Sequence, residues 1–544
     1  MITALVIFII TYIFIGLRQV PRMHIDRPAG ALVGAVLMIV FGVLTIEQAF
    51  AAVDMHTLLL LLGMMIITVY LRIAGFFELM ADKILSLSRT PLQLLIFVVL
   101  SSALLSALFV NDTICLLYTP IILEVTSQLR VKPMPYLLGL ATASNIGSVM
   151  TVTGNPQNML IGIYSKIPYL SFFGALFPVA LAGIVICVVV IWFVYRKEIG
   201  TGVFSSRPAM PKYEVRKTLL VKTLLVCVAV LTAFSFGYPY SLVAAAGAVA
   251  LLLVGGVSTE RVLEGVDWTL LLFFSGLFIV MHGVEISGLA AAVIEKAGDL
   301  TAYSVPGRIV GLSVISVVLS NLVSNVPAVM LLKPLTQTFG SGDLFWLCLA
   351  MSSTLAGNLT LIGSVANLIV VQQARKRVDI GFMEYFRAGA LITVATIAIG
   401  ILVLVLEVRF ARGAEAIAAE RHDKQTLVTV VPRGHATGHR SFSVVLLCET
   451  DESRARGLQG FRRLQPAEAA LFVFSRPQVV TFWMGTVTFP IDIVFVREDG
   501  FVAEVAPHCK PGSSEFYGSG IPVKWVVETA AGSGIVVGDR LKIN

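Results

Sequence analysis

Four polar clusters interrupt apolar stretches of this 544-residue chain, and their residue types suit a small solute stripped of water. The first is Asn111-Asp112-Thr113. The second runs from Thr142-Ala143-Ser144-Asn145 to Gly154-Asn155-Pro156-Gln157-Asn158. The third is Ser324-Asn325, and the fourth spans Thr354 to Asn358 and continues to Thr360, Gly363, Ser364 and Asn367. A helix broken at glycine or proline offers backbone N–H groups to an anion and carbonyl oxygens to a cation. Short Ser, Thr and Asn side chains add neutral ligands without burying a charge.

The candidate substrate- or ion-binding set is Asn111, Asp112, Thr113, Ser144, Asn145, Gly154, Asn155, Asn158, Ser324, Asn325, Gly357, Asn358, Thr360, Gly363 and Asn367. Asp112 is the sharpest member, because a carboxylate deep in an apolar segment costs about 2.5–3.5 kcal/mol and is usually functional. It suits a sodium ion or an exchangeable proton; capping the helix that follows is the structural alternative. Asn111 and Asn325 read as ligands or as Asx caps closing a hairpin. Gly154 and Gly363, like Pro156 and Pro327, act through the backbone they shape. Thr360 serves either a ligand or its own helix. Asp54 and Asp267, each opening a long apolar run, read as helix N-caps.

These clusters must be positioned by a membrane. Residues of the AVILMFWYC set make up 57% of the chain and charged residues 13%, with a mean hydropathy of +0.89. Soluble domains carry about 25% charge. About 20 apolar residues cross a bilayer. Segments of that order occur at 1–18, 28–46, 56–74, 92–110, 138–162, 168–195, 218–235, 240–257, 267–285, 306–322, 343–371 and 386–408, for eleven to thirteen crossings. The first reads as a retained helix. The pieces 113–127 and 326–338 are short for a crossing and read as re-entrant elements, since nonhelical backbone at membrane depth must be packed inside protein. The net charge of +7 lies mainly in short gaps. The longest, 196–217, holds six basic residues and is placed in the cytoplasm by the positive-inside rule.

An internal repeat organises the segments. A shift of 213 superimposes Gly42 on Gly255, Glu47 on Glu260, Asp54 on Asp267, Gly63 on Gly276 and Gly75 on Gly288. Downstream, Asn111 falls on Asn325, Pro120 on Pro334, Gly154 on Gly363 and Asn158 on Asn367. Related halves with matching interruptions point to a transporter whose site lies between them at mid-membrane. The expected domains are repeat 1 with a leading helix (1–195), a basic loop (196–217), repeat 2 with a leading helix (218–408), a linker (409–430) and a β-rich domain (431–544).

Other functions lack support in the sequence. No G-x-x-x-x-G-K-[ST] pattern occurs, so ATP hydrolysis by this chain is not expected, while a separate ATPase subunit and a homodimer both stay open. No cofactor, enzyme activity, resident metal or nucleic-acid partner is expected; the partners are the bilayer and a small anion or ion, with Na+ or H+ as coupling ion. The six cysteines show no metal-ligand spacing, although Cys448 and Cys509 have the option of meeting in the C-terminal domain.

At LLLLLGMMIITVYLRIAGFFELMA, LSALFVNDTICLLYTPIILEV, ATASNIGSVMTVTGNPQNMLIG, SNVPAVMLLKP and AGNLTLIGSVANLIVVQQA the chain resembles the ion transporter superfamily of arsenite permeases, NhaD-type sodium/proton antiporters, the melanosomal P protein and citrate or dicarboxylate carriers. The resemblance implies an all-α polytopic fold with two inverted repeats, re-entrant hairpins and broken helices in a multi-pass cell-membrane protein. It implies hairpin tips at Asn111-Asp112-Thr113 and Ser324-Asn325. The Asp and the Asn-Val-Pro sit closer to the arsenite-permease arm than to the Ser-Asn-Thr signature of dicarboxylate carriers. An arsenite-permease-like transporter of a small anion is therefore expected, with a sodium/proton antiporter or a citrate/dicarboxylate symporter as alternatives.

Past Phe410 short Val- and Phe-rich runs alternate with Gly, Pro and charged turns, the pattern of a small mostly-β domain. GLQGFRRLQPAEAALFVF, FWMGTVTFPIDIVFVREDGFV and WVVETAAGSGIVVGDRLKI resemble the DUF192 family. Asp492, Trp483 and the Gly538-Asp539 turn are its candidate surface features.

Overall fold

The computed structural model describes residues 2–16, 27–204, 214–288, 300–339, 342–422, 427–433 and 440–543, apart from 460, 462, 486 and 514. The chain divides into two compact units, Met1–Glu407 and Val408–Asn544.

The first unit is helical: α1 (Ile2–Gly16), α2 (Arg27–Val40), α3 (Ile46–Ala52), α4 (Met55–Ile73), α5 (Phe76–Leu87), α6 (Pro91–Leu108), α7 (Asn111–Gln128), α8 (Met134–Ser148), α9 (Pro156–Ser165), α10 (Tyr169–Ile199), α11 (Lys217–Ser235), α12 (Tyr240–Val254), α13 (Thr259–Leu263), α14 (Trp268–Ile286), α15 (Val305–Val323), α16 (Asn325–Thr338), α17 (Leu344–Ala356), α18 (Val365–Ala374) and α19 (Phe382–His422). Among the described residues, seven helices are long and apolar enough to cross a membrane (α4, α6, α10, α11, α14, α15 and part of α19), which makes this a multi-pass membrane protein. Seven is fewer than the eleven to thirteen crossings expected. The segments at 1–18, 28–46 and 240–257 form helices of only 14 or 15 residues, and those at 138–162 and 343–371 are each broken in two.

Local chemistry sets several ends. Thr45 and Gln48 form a capping box at α3. Asp54 accepts from the Thr57 N–H at 2.9 Å and Asp267 from the Leu270 N–H at 3.1 Å, so both are N-caps as the sequence suggested. Thr90 followed by Pro91 starts α6. Between α4 and α5 the chain turns at Gly75, whose φ of +81° a side chain would disfavour. α5 was missed by hydropathy because Glu78, Asp82 and Lys83 dilute it; it buries Phe77, Ala81, Ile84 and Leu85. A large core fills most of the unit, with Tyr70, Phe77, Tyr118, Phe172 and Phe345 among its largest buried side chains, and a smaller cluster around Met38 packs α1, α2 and α14 together.

α19 continues through the first part of the stretch expected as a linker. The second unit holds β1 (Leu427–Val431), β2 (Arg440–Cys448), a short helix α20 (Asp451–Arg456), β3 (Glu468–Gln478), β4 (Thr481–Trp483), β5 (Ile491–Val496), β6 (Val502–Cys509), β7 (Phe516–Gly518), β8 (Val523–Ala530) and β9 (Arg540–Ile543). Seven strands pair in the order β6-β5-β8-β3-β2-β1-β9, with β2 and β3 parallel and the other pairs antiparallel. β4 and β7 form a separate ribbon whose Phe482 meets Phe472 edge-on at 4.9 Å. Of these strands β7 had no counterpart in the sequence reading, since FYG is too short to show a pattern.

Candidate functional site

Two helix breaks and two helix-to-helix turns meet in the first unit. α8 and α9 are separated by residues 149–155, with a 3-10 turn at Val152–Gly154; α17 and α18 are separated by 357–364. Phe109 and Val110, both extended, join α6 to α7. Between α15 and α16 stands Ser324, at φ +73° and ψ 163°, a conformation that belongs to glycine.

Asn145 ties these pieces together. Its Nδ2 donates to Asn358 Oδ1 at 2.9 Å and to Asn367 Oδ1 at 3.2 Å. Its Oδ1 accepts from Asn111 Nδ2 at 3.0 Å and from Ser364 Oγ at 3.1 Å. An amide has two donors and two acceptor positions, so Asn145 is saturated. Named in the sequence as a candidate ligand, it fastens four other side chains together in this structure.

Much of the predicted set has the same fate. Asn158 Nδ2 donates to the carbonyls of Ser148, Val149 and Thr151, and Asn367 Nδ2 to those of Gly357 and Thr360. Each amide stitches the first turn of its helix to the preceding break. Asn155 caps α9 through the Asn158 N–H and donates to Ser148 Oγ at 2.9 Å. Asn358 Nδ2 reaches the Thr142 carbonyl at 3.3 Å. Ser144 Oγ bonds back to Ala141 within its own helix and accepts from Cys115 Sγ. Thr360 Oγ1 donates to Asn321 Oδ1 at 2.8 Å, a partner the sequence did not single out. Gly154 lies against the Ser148 backbone and Gly363 3.2 Å from the Gly357 carbonyl, distances measured to the Cβ each lacks.

Two neighbouring cavities adjoin these clusters. The smaller, about 20 Å³, is lined by Asn111, Asp112, Gln157, Ser324, Asn325 and Ser364 among others. That is room for about one water. Asn111 and Asn325 thus share a cavity, and Asn111 Oδ1, buried there, has no hydrogen-bond partner among the described residues. The first residues of α7, α9, α16 and α18 all line it, so four positive helix ends converge where no Lys or Arg lines the wall. Gln157 and Ser364 sit in the quoted clusters but outside the candidate set, and both line this cavity; the missing signal was their position at a helix start.

Asp112, 7% exposed, lies close to the Ala366 backbone N–H in the first turn of α18. It therefore faces the start of a helix from the other half of the sequence as well as standing in the first turn of its own. It also borders the larger cavity, about 230 Å³, together with Thr113, Thr68, Arg72, Asp267 and Gln372.

In the second unit Asp492 is buried rather than exposed. It accepts from the backbone N–H groups of His508, Gly532 and Ser533 and from Ser533 Oγ, which locks the turn after β8. Asp539 is likewise buried and accepts from the Arg433 and Val536 N–H groups. Trp483 alone of the three features stands half-exposed at the surface. Cys448 and Cys509 are free, buried thiols that burial pushes up to about 12 and about 11. Glu528, buried on β8, is pushed up to about 8 by desolvation, and its Oε2 has no partner among the described residues.

The citrate transporter family matches residues 5–343, and the DUF192 family (uncharacterized ACR) matches residues 434–543. The first is described as a transporter family and the second as uncharacterized. The silicon efflux transporter LSI3 of Oryza sativa subsp. japonica is 34% identical over 454 residues, covering 70% of this chain and 93% of that protein. An uncharacterized transporter of Mycobacterium tuberculosis (strain ATCC 25618 / H37Rv), Rv2684, is 31% identical over 424 residues, 74% of this chain and 97% of its own. The crystal structure of the Alcanivorax borkumensis YdaH transporter aligns over 75% of this chain and 97% of that one, at 14% identity and a TM-score of 0.45.

Proposed function

As the chain belongs to the citrate transporter family, and is a membrane-embedded secondary transporter of a small solute, we propose that it carries a small carboxylate in symport with a cation held at Asp112. The observation that supports this most is the convergence of four helix N-termini on one cavity beside a single acid. Helix N-termini attract an anion without a buried lysine or arginine. A carboxylate substrate next to an ionised Asp112 needs a positive charge between them, which a sodium ion or a proton supplies. The family description moves the weight away from the arsenite-permease arm that the Asn-Val-Pro sequence suggested.

We read the mechanism as alternating access between two inverted halves with re-entrant hairpins at α6–α7 and α15–α16. In support, the end of α4 (Arg72) and the start of α14 (Asp267, Leu270) line one cavity, while Tyr164 lies near both Asp54 before α4 and Glu285 near the end of α14. An opposed course of α4 and α14, which the repeat matches to one another, supports this reading. The cavity of about 20 Å³ suits an occluded site emptied of substrate.

The neutral amide lining also favours a second reading, an uncharged oxyacid, in keeping with the printed name of the rice relative. Flux into proteoliposomes under imposed sodium and proton gradients, with citrate, succinate, arsenite and silicic acid as solutes, separates the two. Citrate or succinate uptake driven by a cation gradient is expected. Silicic acid or arsenite flux with no carboxylate flux would refute the carboxylate reading.

A further inference from the structure

The larger cavity holds a charge that no step above uses. Arg72, in the last turn of α4, borders this space of about 230 Å³ beside Asp112, and among the described residues it makes no ion pair or side-chain hydrogen bond. Its guanidinium is held against the turn before α14, where Nη2 lies 2.6 Å from the position a Cβ on Gly265 would take. A larger residue at 265 would push it away. An unpaired guanidinium at the edge of an apolar unit is costly to keep, and snorkelling toward headgroups is its usual resting state. Here it stays on the cavity wall with Thr113 and Gln372, two side chains able to hydrogen-bond a carboxylate.

Size separates the two cavities. The central one admits about one water, whereas the outer one, roughly ten times larger, admits a small organic acid. The outer cavity also lies on the side of the basic loop: the Arg216 N–H donates to the Ala74 carbonyl just past Arg72, at 3.1 Å. Under the repeat's shift of 213, Arg72 corresponds to Glu285, which borders another cavity with Tyr164 and Lys333. Equivalent positions in the two halves thus carry opposite charges, and only the Arg72 side presents a cation next to Asp112.

We propose that this outer cavity is a vestibule for the anionic substrate on the basic-loop side, and that Arg72 is its specificity-determining residue, recruiting the carboxylate before it reaches the converging helix ends. Arg72 holds the anion through a forked pair of N–H donors, a geometry that lysine reproduces in charge only. Asp112, on the same wall, keeps the anion from settling there unless its cation is already bound, which orders the two binding events. This assignment rests on the carboxylate reading of the central site.

The test uses the full-length chain in proteoliposomes, with citrate and succinate as probes offered to each face in turn. Arg72→Gln is expected to raise KM for citrate about tenfold from the basic-loop side, the factor that a single lost charge contact of about 1.4 kcal/mol gives. kcat should stay within about twofold, and KM from the opposite face should be unchanged. Arg72→Lys, which keeps the charge but not the fork, should recover only part of the citrate KM, and rising ionic strength should narrow the difference between wild type and Arg72→Gln. An unchanged KM in Arg72→Gln, or an equal rise from both faces, overturns the vestibule while leaving the central site intact. Wild-type protein that carries no carboxylate at all overturns the carboxylate reading itself, and the vestibule with it.

Discussion

Asn145 Nδ2 donates to Asn358 Oδ1 over 2.9 Å, joining two residues that lie 213 positions apart in the sequence. The contact joins α8 to the break after α17 at the centre of the first unit. Leaving a buried amide partner unsatisfied costs about 1–3 kcal/mol each. Asn145→Ala strips partners from Asn111, Asn358, Asn367 and Ser364 at once, and should lower thermal stability in detergent by several degrees as well as abolish flux. Asn111→Ala removes only one such bond and an Oδ1 that has no partner, so it should abolish flux with a much smaller loss of stability. Equal melting temperatures for the two variants would contradict the division between fastener and ligand.

Asp112 meets both cavities and the first turn of α18. Asp112→Asn keeps the shape and a hydrogen-bond acceptor for the Ala366 N–H while deleting the charge. Its abundance and melting temperature should stay near wild type, while uptake ceases to respond to imposed sodium or proton gradients. Gradient-driven uptake of wild-type size in this variant would remove Asp112 from the coupling step.

Gly154 tests the backbone role of the breaks. A Cβ there would stand 2.6 Å from Ser148 Cα, and this backbone cannot swing aside as a flexible side chain could. Overpacking of this kind costs about 1–3 kcal/mol, so Gly154→Ala should reduce the folded yield. Gly174, in α10, has nothing within 4 Å of the same position. Gly174→Ala should therefore be neutral or stabilise by up to about 1 kcal/mol, as alanine replaces glycine within a helix. Size-exclusion profiles of the two purified variants give the comparison directly.

The sequence revealed which segments break but not how their side chains are used. Asn111, Asp112, Ser324 and Asn325 stood out as polar groups in apolar surroundings, and all four line one cavity. Asn145, Asn155, Asn158 and Asn367 stood out for the same reason, yet their amides are occupied by backbone carbonyls and by one another. Composition and spacing register polarity, whereas the number of hydrogen-bond partners depends on three-dimensional closure. Arg72 was hidden for the opposite reason. It lies within LLLLLGMMIITVYLRIAGF near the end of an apolar run, where a basic residue is expected beside headgroups, and only the turn at Gly265 shows its proximity to Asp112's cavity. In the second unit Val- and Phe-rich runs marked eight of the nine described strands, but Asp492 and Asp539 read as surface acids because N–H groups they satisfy, such as those of Gly532 and Arg433, lie far away in sequence.

Glu528 gives the second unit a pH dependence of definite sign. It lies on β8 between Ala470 and Ile493 of the neighbouring strands, and burial raises its carboxyl from 4.5 to about 8. Cys448 and Cys509, the titrating groups closest to it in effect, are themselves pushed to about 12 and about 11 and stay neutral over the same range. The folded unit therefore holds a proton that the unfolded chain releases above about pH 4.5. Stability from this group is fully present below about pH 4.5, declines by at most ~1.4 kcal/mol per pH unit as pH rises, and levels off above about pH 8. Glu528→Gln removes the ionisation and should flatten the decline. Hydrogen-exchange mass spectrometry on residues 523–530 of the full-length protein, between pH 5 and 9 with the chemical exchange rate corrected, measures it locally. Wild-type protection should fall across that range and Glu528→Gln protection should hold; parallel pH profiles in the two proteins would show that Glu528 is not the group that titrates.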